Sequence, residues 1–174
     1  MDGTWTIREA TRADAAGFAR IQIDAWRATY SGILPADYLA RLDLWRLTAV
    51  WEQRLGSAAG AVRQLAVCVD GGIVGWAGFG EPRDDVDDGT GELHAINMDP
   101  AHWSRGLGSF LFTRVARELV GMGYSRAYLW VADGNSRALA FYGRHGWSLD
   151  GTSTDDDRFT PPLHELRVVS PLLA

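Results

Sequence analysis

Residues 97 to 112 read NMDPAHWSRGLGSFLF. A strand closing at Asp99-Pro100 runs into a glycine-bearing loop, and the loop opens a helix whose apolar positions Leu107, Leu111, Val115 and Leu119 fall four apart. The first N–H groups of that helix have no partner within it and align with the positive end of its dipole, so the segment is suited to an anion. Gly106 and Gly108 remove β-carbons that would hold an anion off, and Arg105 can add a charge-assisted contact. The plainer reading of the same residues is a glycine turn that starts a core helix, and this stretch alone does not separate the two.

Working outward, Glu92 to Met98 alternates, which sets Glu92, His94, Ile96 and Met98 on one expected face and Leu93, Ala95 and Asn97 on the other. Before it lie an opening strand, Thr4 to Glu9, and a hairpin from Gln64 to Gly80 that turns at Asp70-Gly71-Gly72. Two helices separate these, one over 15–30 and one running from Pro35 to Gly56 on Tyr38, Leu39, Leu42, Trp45, Ala49 and Leu55. Glu81 to Gly91, with four aspartates, reads as a solvated loop. After the long helix come strands over 125–131, 147–151 and 164–169, with a helix over 135–145 between the first two. A strand, a crossover helix and a strand imply parallel pairing, while the hairpins are antiparallel. The expectation is a single α/β domain over 1–174, with a mixed, mostly antiparallel sheet of seven strands flanked by four helices.

Composition narrows the chemistry. The 174 residues carry a net charge of -5, which speaks against a nonspecific nucleic-acid binder. All 17 basic residues are Arg, so mechanisms needing a Schiff-base lysine, a pyridoxal anchor or the lysine of a P-loop are excluded. The dinucleotide fingerprint wants a third glycine where Leu111 stands. Cys68 is the one cysteine, and no Cys/His cluster has zinc spacing, so neither a disulfide nor a metal is expected. With no apolar run of membrane-spanning length and no secretory pattern at the start, the expectation is a cytoplasmic protein without a membrane partner. Eight Trp in so short a chain either fill a core or line an apolar pocket.

The loop resembles the acyl-CoA-binding loop of the GCN5-related N-acetyltransferase (GNAT) superfamily: Gln or Arg, two residues, Gly, one residue, Gly or Ala. That pattern falls on Trp103 to Gly108, with Trp in place of the first Gln or Arg. A second stretch, NSRALAFYGRHGW over 135–147, is similar to the family's other CoA motif through Asn135, Arg137, Ala138, Phe141, Tyr142, Gly146 and Trp147. WRATYSGILPADYL over 26–39 looks like a variant of its first two helices. The order of elements agrees with the family fold across essentially the whole chain, in which the parallel fourth and fifth strands splay apart.

The resemblance implies acetyl-CoA as co-substrate and direct transfer to a primary amine of a small molecule or peptide, with homodimers common among members. It carries over Arg105, Gly106, Leu107, Gly108 and Ser109 as a pyrophosphate cradle, Ile96 and Met98 beside the pantetheine arm, and Asn135 in the second motif. Tyr142 becomes the general acid, since a phenol of pKa about 10 is neutral at pH 7 and can protonate a departing thiolate. A main-chain N–H near Asn97 or Met98 can polarise the carbonyl. Glu92 is the chosen base, with His94, a water-mediated route and Asp133 as alternatives, because a partly buried carboxylate can have a raised pKa. Trp26 and Tyr30 are candidate walls of the acceptor pocket. The rival readings are a non-catalytic acyl-CoA-binding or sensing domain and a nucleotide-binding α/β domain.

Overall fold

A computed structural model describes residues 4–57 and 62–172. Its seven strands, β1 (Trp5–Glu9), β2 (Val62–Val69), β3 (Gly72–Gly80), β4 (Thr90–Met98), β5 (Arg126–Ala132), β6 (Ser148–Asp156) and β7 (Leu163–Pro171), form one sheet in the order β1-β2-β3-β4-β5-β7-β6. Every neighbouring pair is antiparallel except β4 with β5, as the crossover implied. No helix among the described residues is long and apolar enough to cross a membrane.

The helices are α1 (Ala15–Thr29), α2 (Ala36–Ala40), α3 (Leu44–Gly56), α4 (Leu107–Gly121) and α5 (Ser136–Arg144). The single helix expected over 35–56 is thus two, making five rather than four. Asp43 takes an extended conformation, and its carboxylate accepts the Arg46 N–H at 2.8 Å. It is a new N-cap, and a carboxylate there offers the backbone an alternative to continuing the helix. Period alone missed the break, and Trp45, one of the residues that carried that period, is 86% exposed while Trp51 carries the packing.

One face of the sheet is covered by α4 and α5. Leu107, Leu111, Phe112, Val115 and Leu119 pack there against Leu65, Val67, Phe79, Leu93, Ala127 and Leu129. On the other face α1 and α3 bury Phe18, Ile21 and Trp51 against Ala66, Cys68 and Trp76. Phe18 stacks on Trp76 at 5.2 Å and meets Trp51 edge-on at 5.2 Å. Each indole finds an acceptor, Trp76 at the Phe18 carbonyl and Trp51 at Gln22, so neither polar tip is stranded. A third cluster, with Leu34, Leu39, Phe159 and Leu163, joins α2 to the segment before β7.

A β-bulge in β4 overturns the expected facing of that strand. Phe79 pairs with Leu93 and Gly78 with Ala95, so His94 is the extra residue. Alternation restarts out of phase: Leu93, Ile96 and Met98 share the α4 side, whereas Glu92 meets Tyr128 on the opposite face. The sixth strand also runs past the expected Gly151 to Asp156, taking Asp155 and Asp156 into the sheet.

β4 and β5 pair only at Thr90 with Arg126, Gly91 with Ala127 and Glu92 with Tyr128, then splay. The middle pair is tightly backed, because a β-carbon on Gly91 would lie 2.8 Å from both Leu119 and Tyr124 side chains. Gly91→Val is therefore expected to lower the unfolding free energy in urea by about 1–3 kcal/mol.

Candidate active site

Where β4 leaves β5, a cleft of about 570 Å³ opens through the sheet. Its walls come from the bulged half of β4, the 102–109 loop and α4 start, α5, the end of α1, and the 156–165 segment.

The loop is built to hold its amides apart from the chain. Asp99 caps a short 3-10 turn by accepting the Ala101 N–H at 2.9 Å, and the Trp103 indole donates to the Met98 carbonyl at 2.9 Å. The Arg137 guanidinium lies 4.1 Å above the Trp103 ring. Ser104 and Gly106 both take positive φ, +59° and +83°, a conformation in which successive N–H groups can converge into a concave nest. No side chain caps α4, and the N–H groups of Gly106, Leu107 and Gly108 have no acceptor among the described residues. Beside them a β-carbon on Gly108 would already touch Met98 and Phe141 at 3.6 and 3.7 Å.

Asn135 caps α5 by accepting the Ala138 N–H at 3.1 Å, which sets the helix so that Tyr142 lines the cleft. Burial, and then the nearby Tyr30 phenol, raise Tyr142 above the ordinary phenol value. Tyr30 is itself pushed up to about 12 by burial and by the Glu165 carboxylate. Both phenols are therefore protonated at neutral pH.

Glu92 sits differently from the sequence expectation. It is fully buried, and it is absent from the cleft wall. One carboxylate oxygen takes Arg83 Nε and Nη2 at 2.9 and 2.5 Å; the other takes the Arg83 N–H at 2.8 Å and the Tyr128 hydroxyl at 3.0 Å. Arg83 does reach the cleft, as does His94, whose Nδ1 is 3.7 Å from Glu92 and whose pKa burial lowers. The loop expected to be solvated is pinned nearby, with Asp84 accepting the Trp130 indole N–H at 2.7 Å.

Of the residues singled out from sequence, Ile96, Met98, Gly106, Gly108, Ser109, Asn135, Tyr142, Trp26 and Tyr30 come together in one cleft. Arg105 is exposed outside it, and the Leu107 side chain is in the core, so that position contributes its amide alone. Sequence reasoning missed Glu165, Arg158 and Phe159, which line the far end. Glu165 carried one usable signal, a carboxylate among the apolar and alternating residues of the last strand.

Residues 18–147 match the family model described as Acetyltransferase (GNAT) family. The chain is 32% identical over 139 residues, 79% of its own length and 76% of the other's, to the uncharacterized N-acetyltransferase YuaI of Bacillus subtilis (strain 168). In fold it is similar to the PaiA N-acetyltransferase of Thermoplasma acidophilum in complex with coenzyme A, with TM-score 0.73, 16% identity and coverage of 97% and 99% of the two chains. It is likewise similar to YncA of Salmonella typhimurium with acetyl-CoA, with TM-score 0.70, 21% identity and coverage of 98% and 95%. Sheet, splayed strands and glycine-opened helix define an acyltransferase architecture. The chain belongs to the GNAT family of acetyltransferases.

Removing the guanidinium that holds Glu92 would leave one oxygen of a buried carboxylate without a donor and the other held by the residue 83 main-chain N–H and the Tyr128 phenol. Because Arg83 is itself half exposed, Arg83→Met is expected to cost about 2–4 kcal/mol of stability, less than for a wholly buried pair, measured by urea unfolding.

Proposed function

We propose that the chain, as one acyltransferase domain over 1–174, moves an acetyl group from acetyl-CoA directly to a primary amine of a small molecule or peptide. The observation that carries this reading is the continuity of the cleft, which joins the unpartnered amides at the start of α4 to an aromatic chamber with Tyr142 between them. The acetyl thioester supplies the acyl carbon.

In this reading the amides of Gly106, Leu107 and Gly108, with the Ser109 hydroxyl, hold the diphosphate at the positive end of α4. Trp103 stands where the family pattern has Gln or Arg, and the cation stacked on its ring, Arg137, restores a positive charge at that edge of the loop. Arg105 acts only from the rim. Ile96 and Met98 give the pantetheine arm an apolar wall, and Asn135 keeps α5 in register with it. β4 has no β5 partner beyond Glu92, which supports a free main-chain N–H at Asn97 or Met98 as the group that polarises the carbonyl.

Tyr142 donates the proton that the leaving sulfur needs. Its raised pKa keeps the phenol protonated while the site waits for substrate. Glu92 has both oxygens engaged, so its part is to fix Arg83 at the cleft and to set the charge beside His94 rather than to take the amine proton itself.

Tyr142→Phe is expected to lower kcat by about 10- to 100-fold while leaving the acetyl-CoA Kd within about twofold, read by thiol release and by calorimetry. An unchanged rate removes Tyr142 from the reaction. Gly108→Val is expected to weaken acetyl-CoA binding by about 30-fold or more, because its γ-carbons would crowd Met98 and Phe141 and cover the amides. Tight binding of acetyl-CoA with no thiol release across an amine panel would instead identify a sensing domain.

A further inference from the structure

The half of the cleft bounded by α1 and the 156–165 segment is faced by four charged side chains, Arg83, Asp156, Arg158 and Glu165. Three of them are already matched. Arg83 grips Glu92, and Arg158 grips Asp156 through Nε and Nη2 at 2.9 and 2.6 Å. Glu165 accepts no hydrogen bond from any side chain or amide among the described residues. The charge left over in this chamber is therefore a single, half-buried carboxylate.

Its surroundings favour one kind of guest. A carboxylate removed from water without a partner is costly, and an ammonium docking against it offsets that cost. Trp26 stands 5.3 Å from Tyr30 and 6.4 Å from Phe159, ring to ring, so the same chamber offers aromatic surface to an apolar body and to a cation. Glu165 is close enough to Tyr30, and Tyr30 to Tyr142, for each to hinder the ionisation of the next, which sets the carboxylate one phenol away from the proposed acid.

Resting on the acetyltransferase reading above, we infer that Glu165 binds and deprotonates the acceptor, and that the acceptor is a cationic amine whose apolar, ring-bearing body lies against Trp26, Tyr30 and Phe159. The ammonium gives one proton to the Glu165 carboxylate, and the nitrogen lone pair forms the C–N bond as the C–S bond breaks. The sulfur leaves with the bonding pair and takes the Tyr142 proton. The second proton lost by nitrogen replaces it on the phenol, and the proton on Glu165 goes to water, so an amide, a thiol and one proton result.

Phenethylamine, charged at neutral pH, and O-benzylhydroxylamine, nearly the same shape and uncharged, separate this role from a structural one. Glu165→Gln is expected to lower kcat/KM at neutral pH by about 100-fold for phenethylamine and to leave that for O-benzylhydroxylamine within about threefold. Calorimetry of acetyl-CoA on the same variant should be unchanged, which shows that it is folded. Equal losses on both amines, or none, overturn the inference, as does failure of phenethylamine to bind the CoA-loaded wild-type protein.

The wild type gives a second readout that needs no variant. Burial and the neighbouring Asp156 raise Glu165 above the ordinary carboxylate range; Glu92 on β4 also raises it, and Arg158 and Arg83 oppose them, with Tyr30 facing it from α1. As pH falls through that raised value the carboxylate becomes neutral, so kcat/KM for phenethylamine should drop on the acid side, whereas that for O-benzylhydroxylamine, corrected for protonation of its own weakly basic nitrogen, should not. Matching acid limbs overturn the inference. Failure of the wild type to bind acetyl-CoA at all would be a different result, and would overturn the acetyltransferase reading beneath it.

Discussion

Three backbone pairs hold β4 against β5 before the two strands part, and the cleft exists because the pairing stops there. The last pair, Glu92 with Tyr128, marks the apex of the opening, and their side chains meet in a hydrogen bond of 3.0 Å that Arg83 completes. A fully buried carboxylate is costly in isolation; here each oxygen has two donors, so the apex is polar and satisfied. Two residues further on, the bulge at His94 turns Ile96 and Met98 toward the α4 side. Parting strands, polar apex and re-aimed side chains together convert a sheet interior into a passage from one face to the other.

The all-arginine set of basic residues has a visible structural use. Arg8 meets Asp14 through both Nη atoms at 2.7 and 2.8 Å, Arg158 forks onto Asp156, and Arg83 reaches Glu92 from side chain and backbone together. A planar guanidinium satisfies a carboxylate in two places at once, which an ammonium does not. Two of these pairs border the cleft, so the charges of Arg83 and Arg158 in its walls are each answered by a carboxylate.

Much of this was legible in the residues, and what was not has physical reasons. Gly106 and Gly108 ahead of Leu107, Leu111, Val115 and Leu119 announced a helix with open amides, and alternation in β2 to β5 announced the sheet. Glu92 does not share a face with Ile96 and Met98 because one bulged residue, His94, reverses every side chain after it, and a period of two cannot register that. Asp43 hid a helix break inside an unbroken apolar period. Glu165 stood out only as a carboxylate in an apolar strand, and its role was hidden for a longer-range reason: its place opposite Tyr30 depends on β7 inserting between β5 and β6, which no local pattern encodes. Trp103 read as a departure from the family loop, and its partnership with Arg137, more than thirty positions along the chain, accounts for it.

The outer strand β6 carries Ser148, Asp150, Thr152, Ser153, Thr154, Asp155 and Asp156, and Leu149 is its one large apolar side chain. At the opposite border β1 is only five residues long and ends in Arg8 and Glu9. Neither border offers the long, flat, greasy template on which stray strands stack, so a protein of 47% apolar composition meets water with both rims guarded against polymerisation.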